Sequence, residues 1–120
     1  MRPVSAKMKQ VQAEQKRAYA AAPDAKQGYC LACGQPGETE HSHLYRQRQR
    51  PDLRNNPANW QVLGKHCGCH PLFEHKKAEF SACYPDCWGA ALTAMREIDR
   101  QAYALFALMW AHLIPVELLP

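Results

Sequence analysis

The longest regular pattern of apolar positions lies in the last third of the chain. Apolar residues recur there at intervals of one, three or four positions, at Leu92, Met95, Ile98, Ala102, Leu105, Phe106 and Met109. Charged residues fill the positions between them from 96 to 100. This spacing gives a helix one apolar face. It predicts a single long C-terminal helix over residues 86–114, with Asp86 as a plausible N-cap and Pro115 after its end.

A second helix is predicted over residues 5–22. Ala, Gln and Lys, which favour helices, dominate this stretch, and Pro23 follows it. Between the two helices the apolar positions alternate over short runs instead. Residues 38–45 and 59–63 are predicted to be two strands joined by a loop, because alternation places every second side chain on the same face. Pro51 interrupts pairing within that loop.

After the second strand, the segment from Gly64 to His70 is expected to turn into a helix that continues to Phe80. The predicted fold class is therefore α+β, in a single domain over residues 1–120. It consists of an N-terminal helix, a core unit over residues 28–80 with two strands and a helix, and the long C-terminal helix. A chain of 120 residues suits one domain of this kind.

The net charge of +4 is unevenly distributed. Residues 43–77 carry seven Lys and Arg against two acidic residues, whereas residues 78–120 carry two against five. A basic middle segment favours a polyanion such as nucleic acid as the partner of one face. A solvated charged surface is the alternative. A surplus of apolar side chains over residues 105–110 would allow a homodimer through the C-terminal helix, although core packing explains the same pattern.

The chain has no run of eighteen apolar residues and no apolar segment typical of a signal peptide at residues 1–10. We therefore expect no membrane partner and a cytoplasmic location. Thiols in that compartment are kept reduced, so the six cysteines are expected to be thiols or metal ligands rather than disulfides.

Two close cysteine pairs favour a metal site. Cys30 and Cys33 are separated by two residues and followed by glycine, which lets both thiolates face one tetrahedral Zn²⁺. Further ligand types recur about thirty-five residues later, at Cys67 and Cys69. We therefore predict a structural zinc ion, with a redox-active pair as the alternative for Cys30 and Cys33. The remaining pair, Cys83 and Cys87, is interpreted as buried free thiols, with a second metal pair as the alternative.

A second set of residues has the composition of a phosphodiester-hydrolysing site. Such a site needs a base that activates water, and a divalent cation that stabilises charge on the phosphate. The chain supplies the residue types in a suitable order, as Glu40 or His41, His43, Asn59 and His70. An asparagine on the second strand can fix the orientation of the loop or of the base.

These residues resemble the HNH (ββα-metal) endonucleases, and most nearly the phage recombination-associated nucleases of the NinG type. The resemblance covers residues 28–77 and rests on Glu40, His43-Leu44, Pro51-Asp52-Leu53-Arg54, Asn59 and the upstream pair Cys30 and Cys33. It implies a metal-dependent DNA endonuclease in which His43 is the general base and Asn59 the middle asparagine. His70, with Glu40 or His41, would hold a catalytic cation, Mg²⁺ or another divalent ion.

The family usually closes with Cys-x-x-Cys-His, where this chain has His66-Cys67-Gly68-Cys69-His70. Keeping the two-residue gap gives Cys30, Cys33, His66 and Cys69 as the preferred zinc ligands, with Cys67 as the competitor of His66. The loop between the strands supplies the predicted phosphate contacts, Arg46, Arg48, Arg50 and Arg54. The alternative function is a non-catalytic zinc-binding module that binds nucleic acid or protein, and the irregular turn at residues 66–70 favours it.

Overall fold

The computed structural model describes residues 5–21 and 28–120. Along this part of the chain the elements are α1 (Ala6–Ala21), β1 (Thr39–His43), β2 (Trp60–Gly64), α2 (Cys69–His75), α3 (Lys77–Cys83), α4 (Pro85–Ile98) and α5 (Arg100–Trp110). The predicted mixture of helices with a small two-stranded unit is confirmed. The predicted N-terminal helix is observed to Ala21, whereas Ala22 and Pro23 lie outside the described residues.

The two strands form an antiparallel sheet in which Thr39 is opposite Gly64 and His43 is opposite Trp60. Their side chains alternate between two environments, as the pleat requires. On one face, Leu63 joins the hydrophobic core and Gln61 lies against Cys87 of α4. On the other face, the histidines of β1 and Trp60 of β2 contact Tyr19 of α1. The sheet is therefore covered by helices on both sides.

The prediction of one long C-terminal helix is wrong. The helix ends at Ile98, Asp99 is extended (φ −158°, ψ 102°), and α5 begins at Arg100. Asp99 caps α5, since its carboxylate accepts a hydrogen bond from the backbone N–H of Ala102 at 3.0 Å. It also forms an ion pair with Arg50 at 2.8 Å. The loop between the strands thus holds the point at which the helix breaks.

The two helices that follow the sheet also differ from expectation. The segment predicted to run to Phe80 is interrupted at Lys76 (φ −138°, ψ 63°), which separates α2 from α3. The predicted N-cap Asp86 lies inside α4 instead. Tyr84 is the cap residue and Pro85 occupies an early helical position, where its missing N–H is not needed.

The core lies where α2, α3, α4 and α5 meet the inner face of the sheet. Its largest fully buried side chains include Phe80, Leu92 and Tyr103, each with no exposed surface. Aromatic rings pack edge to face within it, for example Phe73 against Phe80 with centroids 5.2 Å apart. Within the described ranges, no helix is long and apolar enough to cross a membrane.

Candidate metal centre and candidate active site

Four cysteines converge beside the sheet. The sulfur atoms of Cys30, Cys33, Cys67 and Cys69 all lie within 4.8 Å of one another. Four thiolates around one zinc ion would have sulfurs about 3.8 Å apart, given a Zn–S bond of about 2.3 Å. The group therefore has the donor set and the size of a closed tetrahedral site. It can hold a metal ion such as zinc, as predicted for three of its members.

The first pair is built on a tight turn. The backbone N–H of Gly34 donates to the carbonyl oxygen of Cys30 at 2.8 Å, and the N–H of Cys30 donates to Gln35 at 3.0 Å. Burial raises the pKa of the Cys30 thiol, but hydrogen bonds from the backbone at Cys33, Gly64 and Ala32 outweigh it and bring the pKa to about 7. Such donors stabilise a thiolate, which is the form that binds a metal.

The second pair depends on glycine at two positions. A Cβ on Gly64 would lie 2.5 Å from the sulfur of Cys67 and 3.2 Å from the Cβ of Cys30, so only glycine lets β2 pass this close. Gly68, between the two ligand residues, has φ +76°, a conformation that favours glycine. The backbone conformations at Gly64 and Gly68 bring the sulfur atoms of Cys67 and Cys69 to the same site, although only one residue separates these cysteines.

The structure corrects the preferred fourth ligand. His66 lies on the surface, where its Nδ1 is 2.9 Å from the carbonyl oxygen of Glu38. It is not a member of the four-sulfur group, and Cys67 takes the place assigned to it. Of the two remaining cysteines, Cys87 is half-buried and its thiol donates to Gln61 at 3.7 Å, while Cys83 is exposed rather than buried.

His43, the predicted general base, lies at the end of β1 and is 9% exposed. Its Nε2 is 2.9 Å from the carbonyl oxygen of Arg54, to which it donates, and its Nδ1 is 3.3 Å from the amide nitrogen of Gln47. A carbonyl can only accept, so the neutral ring carries its proton on Nε2 and keeps a lone pair on Nδ1. The ring is thus held with its basic nitrogen toward the loop.

The surroundings of His43 favour the neutral ring. Burial lowers the pKa of His43, and the charges of His70 and Arg54 lower it further, against the raising effects of the Arg54 carbonyl and Glu74. A histidine that is neutral near pH 7 can accept a proton.

Asn59 orients the chain around this histidine. It is fully buried at the residue before β2, where its Oδ1 accepts from the N–H of Tyr45 at 2.8 Å and its Nδ2 donates to the Tyr45 carbonyl at 3.0 Å. This pair of bonds ties the residues after His43 to the start of β2. Asn59 therefore holds the loop that follows His43 through its hydrogen bonds to Tyr45.

His70, on α2, lies between two carboxylates. Its Nδ1 is 3.0 Å from Glu40 and its Nε2 is 2.9 Å from Glu74. A neutral imidazole has one N–H and can donate to only one of them. At the other nitrogen, a lone pair of the ring faces a lone pair of the carboxylate. A proton or a divalent cation between the two atoms removes this repulsion.

Of the two residues predicted as partners of His70, Glu40 lies within hydrogen-bonding distance of it. His41 lies on the opposite face of the sheet, where its ring stacks on Tyr19 with centroids 4.0 Å apart and meets the edge of Trp60 at 4.9 Å. Its position matches packing between α1 and the sheet. His41 and His43 share this face of the sheet, whereas Glu40 and Glu74 contact His70.

The four arginines of the loop have different surroundings. Arg46 and Arg48 are exposed, and Arg46 reaches the carbonyl oxygen of Glu74 at 3.0 Å. Arg54 places its charge near His43. Arg50 instead pairs with Asp52 at 2.9 Å and with Asp99 at 2.8 Å. Two carboxylates offset its charge, and Arg50 thereby holds the loop to α5.

A cleft of about 770 Å³ opens beside His43. One wall is the loop that follows β1, the second is α2 and the start of α3, and the third is α5. His43 and Glu74 both line the cleft. Strict alternation along β1 places His43 and Glu40 on opposite faces of the sheet. The end of the strand therefore opens onto the same space as the outer side of α2.

Three residues of this site were not found from the sequence. Glu74 lies one helical turn after His70, and that spacing could have indicated it. Lys77, which donates to the carbonyl oxygen of Phe73 at 2.9 Å, lies in the cleft through the break at Lys76. Gln47 reaches His43 by the fold of the loop, and no local pattern indicates that contact.

Comparison of this chain with protein-family models, with curated proteins and with solved structures found no match.

Proposed function

We propose that the protein is a metal-dependent endonuclease of the HNH type that hydrolyses phosphodiester bonds in DNA, in a cytoplasmic setting such as phage recombination or repair. The order of elements supports this proposal, because β1 and β2 are followed directly by α2, and the candidate residues lie on β1, just before β2 and on α2. The cysteine group would be its structural zinc site, beside the chemistry but separate from it.

The observation that carries the proposal is the setting of His43. Its Nε2–H is committed to the Arg54 carbonyl, so the basic Nδ1 is the atom left for proton transfer. The contact that Gln47 makes with Nδ1, at 3.3 Å, is long for a hydrogen bond, and a water molecule can replace it. His43 thus combines a fixed tautomer, a lowered pKa and a position in a cleft with basic side chains.

In the proposed reaction, His43 takes a proton from a water molecule through Nδ1. The water oxygen forms a bond to phosphorus while the bond from phosphorus to the 3′ oxygen breaks, and the 3′ oxygen takes up a proton from solvent. A divalent cation held by Glu40 and His70, with Glu74 adjacent, would stabilise the negative charge on phosphate. Arg46, Arg48 and Arg54 would hold the strand through its phosphates.

Replacement of His43 by alanine tests the proposal. Nicking of supercoiled plasmid by zinc-loaded protein with added Mg²⁺, Mn²⁺ or Ni²⁺ is expected to fall by about 10²- to 10⁴-fold in His43→Ala, because the general base is lost. Zinc content and the unfolding temperature should stay near those of the wild type. His41→Ala, two residues earlier on β1, is the matched control and should keep the rate of cleavage within about threefold of the wild type. Full activity in His43→Ala would refute the assignment.

A non-catalytic zinc-binding module is the second candidate. Within residues 5–21 and 28–120, the cysteines are the one group of three or more ligand-type residues close enough to share an ion. Glu40, His70 and Glu74 meet only in pairs. Under this alternative the wild type binds DNA but does not nick plasmid with any of the three cations, so the same assay separates the two candidates.

A further inference from the structure

The cleft beside His43 has two chemically different sides. The loop side carries the guanidinium groups of Arg46 and Arg48, and α3 adds the ammonium group of Lys77. The α5 side is apolar, with Met109 and Trp110 among its residues. Met109 is 71% exposed, so the apolar side of the cleft is open to solvent.

Duplex DNA does not need both a charged side and an apolar side in order to bind. A duplex presents phosphates and base edges, and phosphate contacts require only the basic side. The faces of its bases are hidden by stacking within the helix. An unpaired nucleotide offers both a phosphate and a bare base, so it can use a charged wall and an aromatic wall together.

Lys77 lies where the two sides meet. Its Nζ is 4.4 Å from the ring centroid of Phe73 and 6.0 Å from that of Trp110. It is therefore placed to hold a phosphate while the neighbouring base lies against Trp110. Stacking a base on an aromatic side chain favours binding and tolerates any sequence.

We propose that this cleft binds an unpaired nucleotide of a DNA strand, with its phosphate at Arg46 and Lys77 and its base stacked on Trp110. The proposal rests on the proposed nuclease function and makes its substrate more specific, namely DNA that contains a single-stranded segment next to the bond that is cleaved. The charge on the opposite wall selects a polyanion over a second copy of this chain as the occupant of the α5 face.

Binding without cleavage tests this proposal. A short fluorescein-labelled single strand, and the same strand annealed to its complement, are titrated with protein at one salt concentration and without added divalent cation, and anisotropy is recorded. The single strand is expected to bind about tenfold or more tightly than the duplex. Trp110→Leu should weaken single-strand binding by about tenfold and change duplex binding by less than about twofold.

Two further variants guard against a folding defect, because Trp110 is partly buried. Met109→Ala, at an exposed cleft position, should weaken single-strand binding by about threefold. Leu108→Ala, at the adjacent position outside the cleft lining and 80% exposed, is the matched control and should bind like the wild type. Equal affinity for both DNAs, or equal losses in Met109→Ala and Leu108→Ala, would overturn the proposal.

Two arms identify other occupants. If sedimentation shows a dimer that Met109→Ala dissociates, the occupant of the cleft is a second copy of this chain. If RNA of the same sequence binds more tightly than DNA, the occupant is RNA. Either result overturns the proposal. Plasmid nicking is scored separately. A single-strand preference without nicking would refute the nuclease function alone, whereas nicking without that preference would refute this inference alone.

Discussion

The four-cysteine group and the cleft at His43 both gather ligand-type side chains, but they do so in opposite ways. The cysteine group uses one donor type, placed by the close approach of β2 at Gly64 and by the turn at Gly68. Cys30 and Cys69 are almost without exposed surface. The cleft instead mixes imidazole, carboxylate, guanidinium and ammonium groups on three elements and is open to solvent.

The difference indicates two tasks. A closed site with four protein ligands suits a structural ion, because it leaves no position for a substrate. In the cleft the candidate groups come from different elements and are oriented by protein partners, as His43 is by Arg54 and Gln47, while the space beside them stays open. Substitutions in the four-cysteine group should therefore affect folding, and substitutions in the cleft should affect catalysis.

The largest expected effect comes from Cys67→Ser, compared with His66→Ala. Removing one of four ligands from a structural zinc site removes much of the folding free energy that the ion supplies. Cys67→Ser should lose zinc and unfold at a much lower temperature. His66→Ala removes one exposed hydrogen bond and should cost about 1 kcal/mol with zinc retained. Metal analysis and thermal unfolding measure both, and zinc loss in His66→Ala alone would restore His66 as the ligand.

The second effect is confined to the open site. Glu40→Gln keeps the size of the side chain but removes the charge that faces His70. The concentration of Mn²⁺ that gives half-maximal nicking should rise by about 10- to 100-fold, while zinc content stays constant. Glu38→Gln, at an exposed residue two positions earlier, is the control. Unchanged metal dependence in Glu40→Gln would remove this residue from the cation site.

The third effect is a pH dependence. The pKa of His43 is lowered from 6.5, first of all by burial, so the ring is deprotonated at pH values above that shifted pKa. The rate of nicking should therefore fall about tenfold per pH unit only on the acid side, with a midpoint below pH 6.5. Zinc content measured over the same range separates this loss from acid release of the structural ion. A midpoint above 6.5 would contradict His43 as the base.

Local patterns carried enough information for part of this arrangement. The CxxC turn at Cys30, the pairing of a histidine strand with Trp60, and the role of Asn59 as an orienting residue all depend on short spacings and on alternation. These are properties of a few neighbouring residues, and the antiparallel register then places His43 opposite Trp60 without further information.

The parts that were missed depend on contacts distant in sequence. Sequence spacing alone favoured His66 as the fourth ligand. Spacing contains no information on the backbone at Gly64 and Gly68, which brings Cys67 close to the other three cysteines. The break at Asp99 is stabilised by Arg50, which is forty-nine positions earlier. The break turns α5 away from α4, and Trp110 on α5 lines the cleft. The long helix was predicted from a periodicity that both shorter helices share.

The smallest expected effect concerns Lys77, at the junction of the two cleft walls. Burial, with a contribution from Arg46, lowers the pKa of Lys77 to about 8. The side chain is therefore mostly charged at pH 7 and mostly neutral at pH 9, whereas an ordinary lysine stays charged. Single-stranded DNA should bind about two- to fivefold more weakly at pH 9 than at pH 7, since one phosphate contact is lost.

Lys77→Arg should abolish this pH dependence, because a guanidinium stays charged throughout the range. Lys76→Arg, at the neighbouring and more exposed lysine, is the control and should keep it. Anisotropy titrations at constant ionic strength measure all three proteins. If affinity were flat from pH 7 to 9 in the wild type, Lys77 would not contact phosphate, and the charged side of the cleft would depend on the loop arginines alone.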